Sequence, residues 1–184
     1  MIWQRSYELV DVVVIHCSGS PNGLDLPITE IDRWHQVRAG LLHPSEVDAK
    51  FAKDAPQPPV DIQARAEDAR ARHKPELLAF AYHFLIHPTG QIESGRRLDE
   101  IGSHCRGINH NSIGVCLLGK DKFSVAAWAT LKANVESLRT NFSGPKPLTI
   151  IGHTDRPGVD KICPGFDTRS WLERGMVPLP ANVI

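Results

Sequence analysis

The chain has 184 residues and a formal net charge of zero, a length that fills one domain with a full core and is short for two. Zero net charge gives no footprint for a polyanionic partner such as nucleic acid, and no run approaches the roughly 20 apolar residues of a membrane span. The first eleven residues, with Glu8 and Asp11, lack the apolar stretch of a secretory signal, so a cytoplasmic protein is expected. Its four cysteines, Cys17, Cys105, Cys116 and Cys163, then read as thiols or ligands and not as a disulfide framework.

Val12-Val13-Val14-Ile15 is a β-branched apolar run that leads straight into His16. It predicts a buried strand with a histidine at its C-terminal end. By alternation Cys17 points to the opposite face, as a core thiol. Pro21-Asn22-Gly23 breaks the chain. A helix is predicted over 29–39, capped by Thr29, with Asp32 in its first turn and Gly40 as its stop. Ile28, Ile31 and Trp34 form its packed stripe; Trp34 and His35 as a substrate shelf is the lesser reading. Residues 43–78 read as an exposed insertion, proline-rich at first and helix-prone over 61–74. Such an insertion is either passive or a rim over a cleft.

A strand over 80–86 would place Tyr82, Phe84 and Ile86 on one face and His83, Leu85 and His87 on the other. His83 and His87 read as structural or surface residues. Pro88-Thr89-Gly90 turns the chain into a return strand over 91–94. His104 lies in a loop over 102–107, and 113–118 is another buried strand. Trp128, Leu131, Val135 and Leu138 mark an amphipathic helix. A short strand over 148–151 feeds His153 as the first strand feeds His16. A short helix over 168–174 and an irregular tail over 176–184 complete the chain. One α/β domain over 1–184 follows, with a central mixed sheet flanked by helices.

The segment Gly152 to Pro164 holds a histidine, His153, and a cysteine, Cys163, ten positions apart. Pro157 and Gly158 forbid a continuous helix between them, so the segment is a loop that can fold back. Imidazole nitrogen and thiolate sulfur are donors that zinc prefers, and three protein ligands plus water is the open, catalytic form. His16, His153 and Cys163 could make such a site. Spacing alone favours an ordinary loop, because no short-spaced motif supports the metal.

From Val12 to Trp171 the chain resembles the zinc-dependent N-acetylmuramoyl-L-alanine amidases, in particular the phage amidases known as lysozymes. The matching pieces are Ile15-His16-Cys17-Ser18, residues 28–35, residues 81–86 and Gly102-Ser103-His104. They continue, in the same order, with the block 109–117 and Lys161-Ile162-Cys163-Pro164. The resemblance implies a Zn2+ ion on His16, His153 and Cys163. It implies catalytic roles for Tyr82 and Lys161, each able to stabilise an oxyanion, and a substrate groove lined by His104 and Asn109. The substrate would be the amide joining the lactyl group of N-acetylmuramic acid to L-alanine.

The resemblance also carries three functional readings. One is a lytic phage or prophage enzyme, an endolysin, that reaches the wall through a separate membrane-permeabilising partner. Another is a cytosolic amidase recycling anhydro-muropeptides; such enzymes usually carry Asp where Cys163 stands and Glu where Cys116 stands. The third is a module that binds peptidoglycan or another protein without cleavage, and such relatives typically lose the cysteine ligand. Cysteine at both positions favours the lytic enzyme. Some phage amidases also bind RNA polymerase, a partner implied here by analogy alone.

Overall fold

The computed structural model describes residues 4–39, 74, 76–142, 146–159 and 162–184. The expected insertion over 43–78 therefore lies almost wholly outside the described residues, as do Gly40 and Lys161.

Five strands form one mixed sheet. They are β1 (Val12–Cys17), β2 (Phe84–Ile86), β3 (Ile92–Ser94), β4 (Ser112–Leu117) and β5 (Thr149–Gly152), in the spatial order β3-β2-β4-β1-β5. Only the β2–β3 hairpin is antiparallel; β2–β4, β4–β1 and β1–β5 are parallel. β1 and β4 are central and covered on both faces, which is why their sequences are nearly unbroken apolar runs. Parallel pairing also brings the C-terminal ends of β1, β4 and β5 to one edge, where sites collect in such sheets.

Among the described residues three helices cover the sheet: α1 (Ile28–Arg38), α2 (Val125–Asn141) and α3 (Thr168–Glu173). On one face, Trp128, Leu131, Val135 and Leu138 of α2 and Trp171 of α3 pack on Val13, Ile15, Ile113, Val115 and Leu117. Each such buried side chain contributes about 1.5–3 kcal/mol. The Ser124 hydroxyl starts α2 by accepting from the Ala127 N–H at 3.0 Å. On the other face, Ile28, Ile31, Trp34 and Val37 of α1 pack against Phe80, Tyr82, Leu85 and Cys116.

Several local expectations change. Helix α1 starts at Ile28 after Pro27, so Thr29 is inside it and does not cap it. Asp32 does not serve the helix dipole. It is buried and accepts from Ala79 N–H at 2.7 Å, Leu78 N–H at 3.1 Å and the Gln36 amide at 2.6 Å. Asp32 thus ties α1 to the segment leading into β2. The 176–184 tail is docked: Val183 bridges to Phe123, and the Trp128 indole donates to the Asn182 carbonyl at 3.1 Å.

Asp32→Ala is expected to destabilise the protein by about 3 kcal/mol, because the buried Ala79 N–H and the part-buried Leu78 N–H lose their acceptor. Urea unfolding should show this as a lower midpoint at constant slope. A shift near zero would mean that water replaces the carboxylate.

Candidate functional site

His16 is the penultimate residue of β1 and is 1% exposed. Its ring faces the α1 side of the sheet, 5.0 Å from the Tyr82 ring and 4.5 Å from the His153 ring. His153 follows directly on β5, in a short 3-10 turn over His153–Asp155. The parallel β1–β5 pairing therefore sets both histidines side by side at one edge.

Cys163 reaches them because the loop is clamped at its base. The Cys163 carbonyl accepts from the Thr154 N–H at 2.8 Å and also from the Thr154 hydroxyl. Gly152 makes the close approach possible, since a Cβ there would lie 2.7 Å from Thr168 Oγ1 and 2.8 Å from Pro164 Cδ. Cys163 Sγ lies 3.7 Å from His16 Nδ1. One donor atom each from His16, His153 and Cys163 lies within 4.8 Å of the other two. Among the described residues this is the group of three whose donors converge so closely.

The electrostatics suit a cation. Burial, and then the neighbouring His153 and His35, push His16 well below the usual histidine range, so it is neutral and offers a lone pair. The Cys163 thiol is pushed up, first by its hydrogen bond with Cys17 and then by burial. A thiolate there needs positive charge, which a dication supplies. The Cys17 N–H already points at Cys163 Sγ, at 3.4 Å. Two imidazoles, one thiol and a cleft at the sheet edge are the donor set of an open zinc site; the residues fit the ion.

Tyr82 is on the site side, against the alternation read from sequence. The strand begins only at Phe84, so the 79–83 stretch is not pleated with it. Phe84 and Ile86 turn to the α2 face while Tyr82 packs beside His16 and His35. Burial, and next the Cys116 thiol, hold its phenol well above the ordinary tyrosine range, so it stays a hydrogen-bond donor. His35 lines the same cleft, as do Arg38, Ser103 and Ile162. Trp34 does not; it packs in the α1 core and donates to Glu30 at 2.9 Å.

His104 lies against the ligands, its Nδ1 3.0 Å from His16 Nε2. Asn109 does not line the cleft. Its side-chain oxygen accepts from the His104 and Cys105 N–H groups at 2.9 and 2.8 Å, holding the His104 loop. Arg5, for which the sequence has no signal, holds the next layer. Its guanidinium donates to the carbonyls of Leu98, Asn109 and Ser112. His83 is buried, with Nδ1 accepting from Gly114 N–H at 3.0 Å, and burial lowers its pKa to about 3. His87 is buried between Asp25 and Glu93, at 2.6 and 2.8 Å.

Known proteins resemble this chain along most of its length. The family model described as N-acetylmuramoyl-L-alanine amidase matches residues 6–166. The endolysin of Escherichia phage T7 is 28% identical over 178 residues, covering 92% of this chain and 90% of that protein. The endolysin of Klebsiella phage KP32 is 26% identical over 170 residues, covering 88% and 85%. Among solved structures, the N-acetylmuramoyl-L-alanine amidase LysC from Clostridium intestinale URNW superposes with a TM-score of 0.61 at 17% identity. That superposition covers 95% of this chain and 91% of LysC, and it speaks to the fold.

Proposed function

This chain belongs to the N-acetylmuramoyl-L-alanine amidase family, and from that membership we propose a zinc-dependent lytic enzyme of the phage type. It is a hydrolase that cleaves the amide between N-acetylmuramic acid and L-alanine in peptidoglycan. The observation that carries the zinc reading is the convergence of His16, His153 and Cys163 donors within 4.8 Å in an open cleft. No described helix is long and apolar enough to cross a membrane. As a lytic enzyme of the phage type, the protein would reach the wall through a separate membrane-permeabilising partner. The single amidase domain would carry its insertion over 43–78 as an addition to this core.

The residues divide the work as follows. His16, His153 and Cys163 would hold the ion. When bound, zinc supplies a Lewis acid for the carbonyl and brings the pKa of bound water to about 7. Tyr82, kept protonated by burial, donates a hydrogen bond toward the carbonyl oxygen as that oxygen gains charge. Lys161, two residues before Cys163, brings an ammonium to the same loop. Either group can return a proton to the alanine nitrogen as the C–N bond breaks. His35 and Ser103 line the same cleft.

Intact sacculi incubated with the purified protein should be solubilised, with new L-alanine amino ends and no new reducing sugar. Cleavage confined to soluble anhydro-muropeptides would instead assign a recycling enzyme. New reducing ends would overturn the amidase chemistry.

A further inference from the structure

The geometry points to His104 as a positioning residue that fixes His16 in the tautomer whose Nδ1 lone pair faces the metal site. This rests on the zinc reading above, and it gives His104 a role besides lining the cleft. His16 presents one ring nitrogen to each side. Nδ1 faces Cys163 Sγ at 3.7 Å, and Nε2 faces His104 Nδ1 at 3.0 Å. Two imidazole nitrogens at that distance share one proton, so one donates and the other accepts. If His16 is to ligate through Nδ1, its proton sits on Nε2 and His104 Nδ1 accepts it. A metal-ligating histidine whose other nitrogen is hydrogen-bonded is held in one tautomer and one ring orientation.

The consequence falls on His104. Its own proton must then sit on Nε2, and that atom is buried with no hydrogen-bond partner. A buried polar atom left alone calls for a reason, and the reason here is the bond made at the other end of the ring. The surroundings are shaped for it. A Cβ on Gly114 would lie 2.6 Å from His104 Cδ2, and one on Gly102 would lie 2.4 Å from the same atom. Two glycines, one in β4 and one in the preceding loop, thus leave room for the ring. Asn109 then pins the backbone at His104 itself.

The test starts with the unmodified full-length protein, freed of metal and labelled with nitrogen-15 in histidine. Long-range proton–nitrogen spectra should show His16 protonated at Nε2 and His104 protonated at Nε2. His16 protonated at Nδ1 would overturn the inference without any variant. His104→Leu keeps bulk and removes the acceptor; it should mix the His16 tautomers and weaken zinc binding by roughly 10- to 100-fold. His104→Asn returns an oxygen near the Nδ1 position and should recover most of that loss. Gly114→Ala, which crowds the ring without removing it, should weaken zinc in the same direction. A His104→Leu protein with parental zinc affinity and kcat but a raised KM would make His104 a substrate contact and overturn the positioning role. If the parent binds no zinc at all, the zinc reading fails, while the tautomer spectrum still decides what His104 does to His16.

Discussion

Cys163→Ala is expected to take the protein from one bound zinc per chain to nearly none, and to abolish hydrolysis of sacculi. The thiol is one of three converging donors, 3.7 Å from His16 Nδ1. Alanine leaves two neutral imidazoles, short of the three protein ligands of a catalytic zinc site. It also removes the only donor of the three that brings negative charge to a buried place. Because zinc stabilises the folded protein by binding it alone, the parent should melt higher with zinc than with chelator. The variant should lose that difference. Cys163→Asp restores an anionic ligand with a harder atom and should recover part of the zinc. Metal analysis of both proteins, beside the melting curves, is the measurement. A Cys163→Ala protein with stoichiometric zinc and full activity would dismiss the site. Cys105→Ser is the control, because Cys105 is a free thiol that does not line the cleft.

That site was partly readable in the residues, and the boundary between what was readable and what was not is physical. An apolar β-branched run ending in histidine states both the strand and the ligand, since a buried strand tolerates a polar residue only where something meets it. His153 and Cys163 could be named from donor chemistry, but their meeting depends on Thr154 and Gly152 closing the loop base. Tyr82 illustrates the limit of periodicity. Alternation assumes a pleated strand, and the strand starts two residues later, so the phase read from sequence put the ring on the wrong face. Asp32 and Arg5 are harder still. Each is a charged side chain spent on backbone groups from distant segments, and such long-range pairing leaves no local pattern. Resemblance places Asn109 in the groove, whereas its side-chain oxygen holds the His104 loop.

Tyr82→Phe is expected to lower kcat on the order of a hundredfold while leaving zinc content and folding unchanged. The substitution removes one hydroxyl from a ring that is 7% exposed and packed beside His16 and His35. The ring and its contacts remain, so stability should move little. The lost hydroxyl is a donor that burial keeps protonated. A donor aimed at a developing oxyanion acts mainly in the transition state, and removing one costs about 3 kcal/mol. The effect should therefore appear in kcat and not in KM. Lys161→Met, which keeps the stem and removes the charge, should behave in the same way if its ammonium serves the same oxygen. The double variant separates two divisions of labour. Groups that stabilise one oxygen together should show losses that fall short of additive, whereas an oxyanion donor and a separate proton donor should lose nearly additively. Parental kcat in Tyr82→Phe would leave the phenol as packing and place the whole task on Lys161. Loss of zinc in Lys161→Met would assign that lysine to the shape of the ligand loop, and its rate effect would then carry no information about the oxyanion.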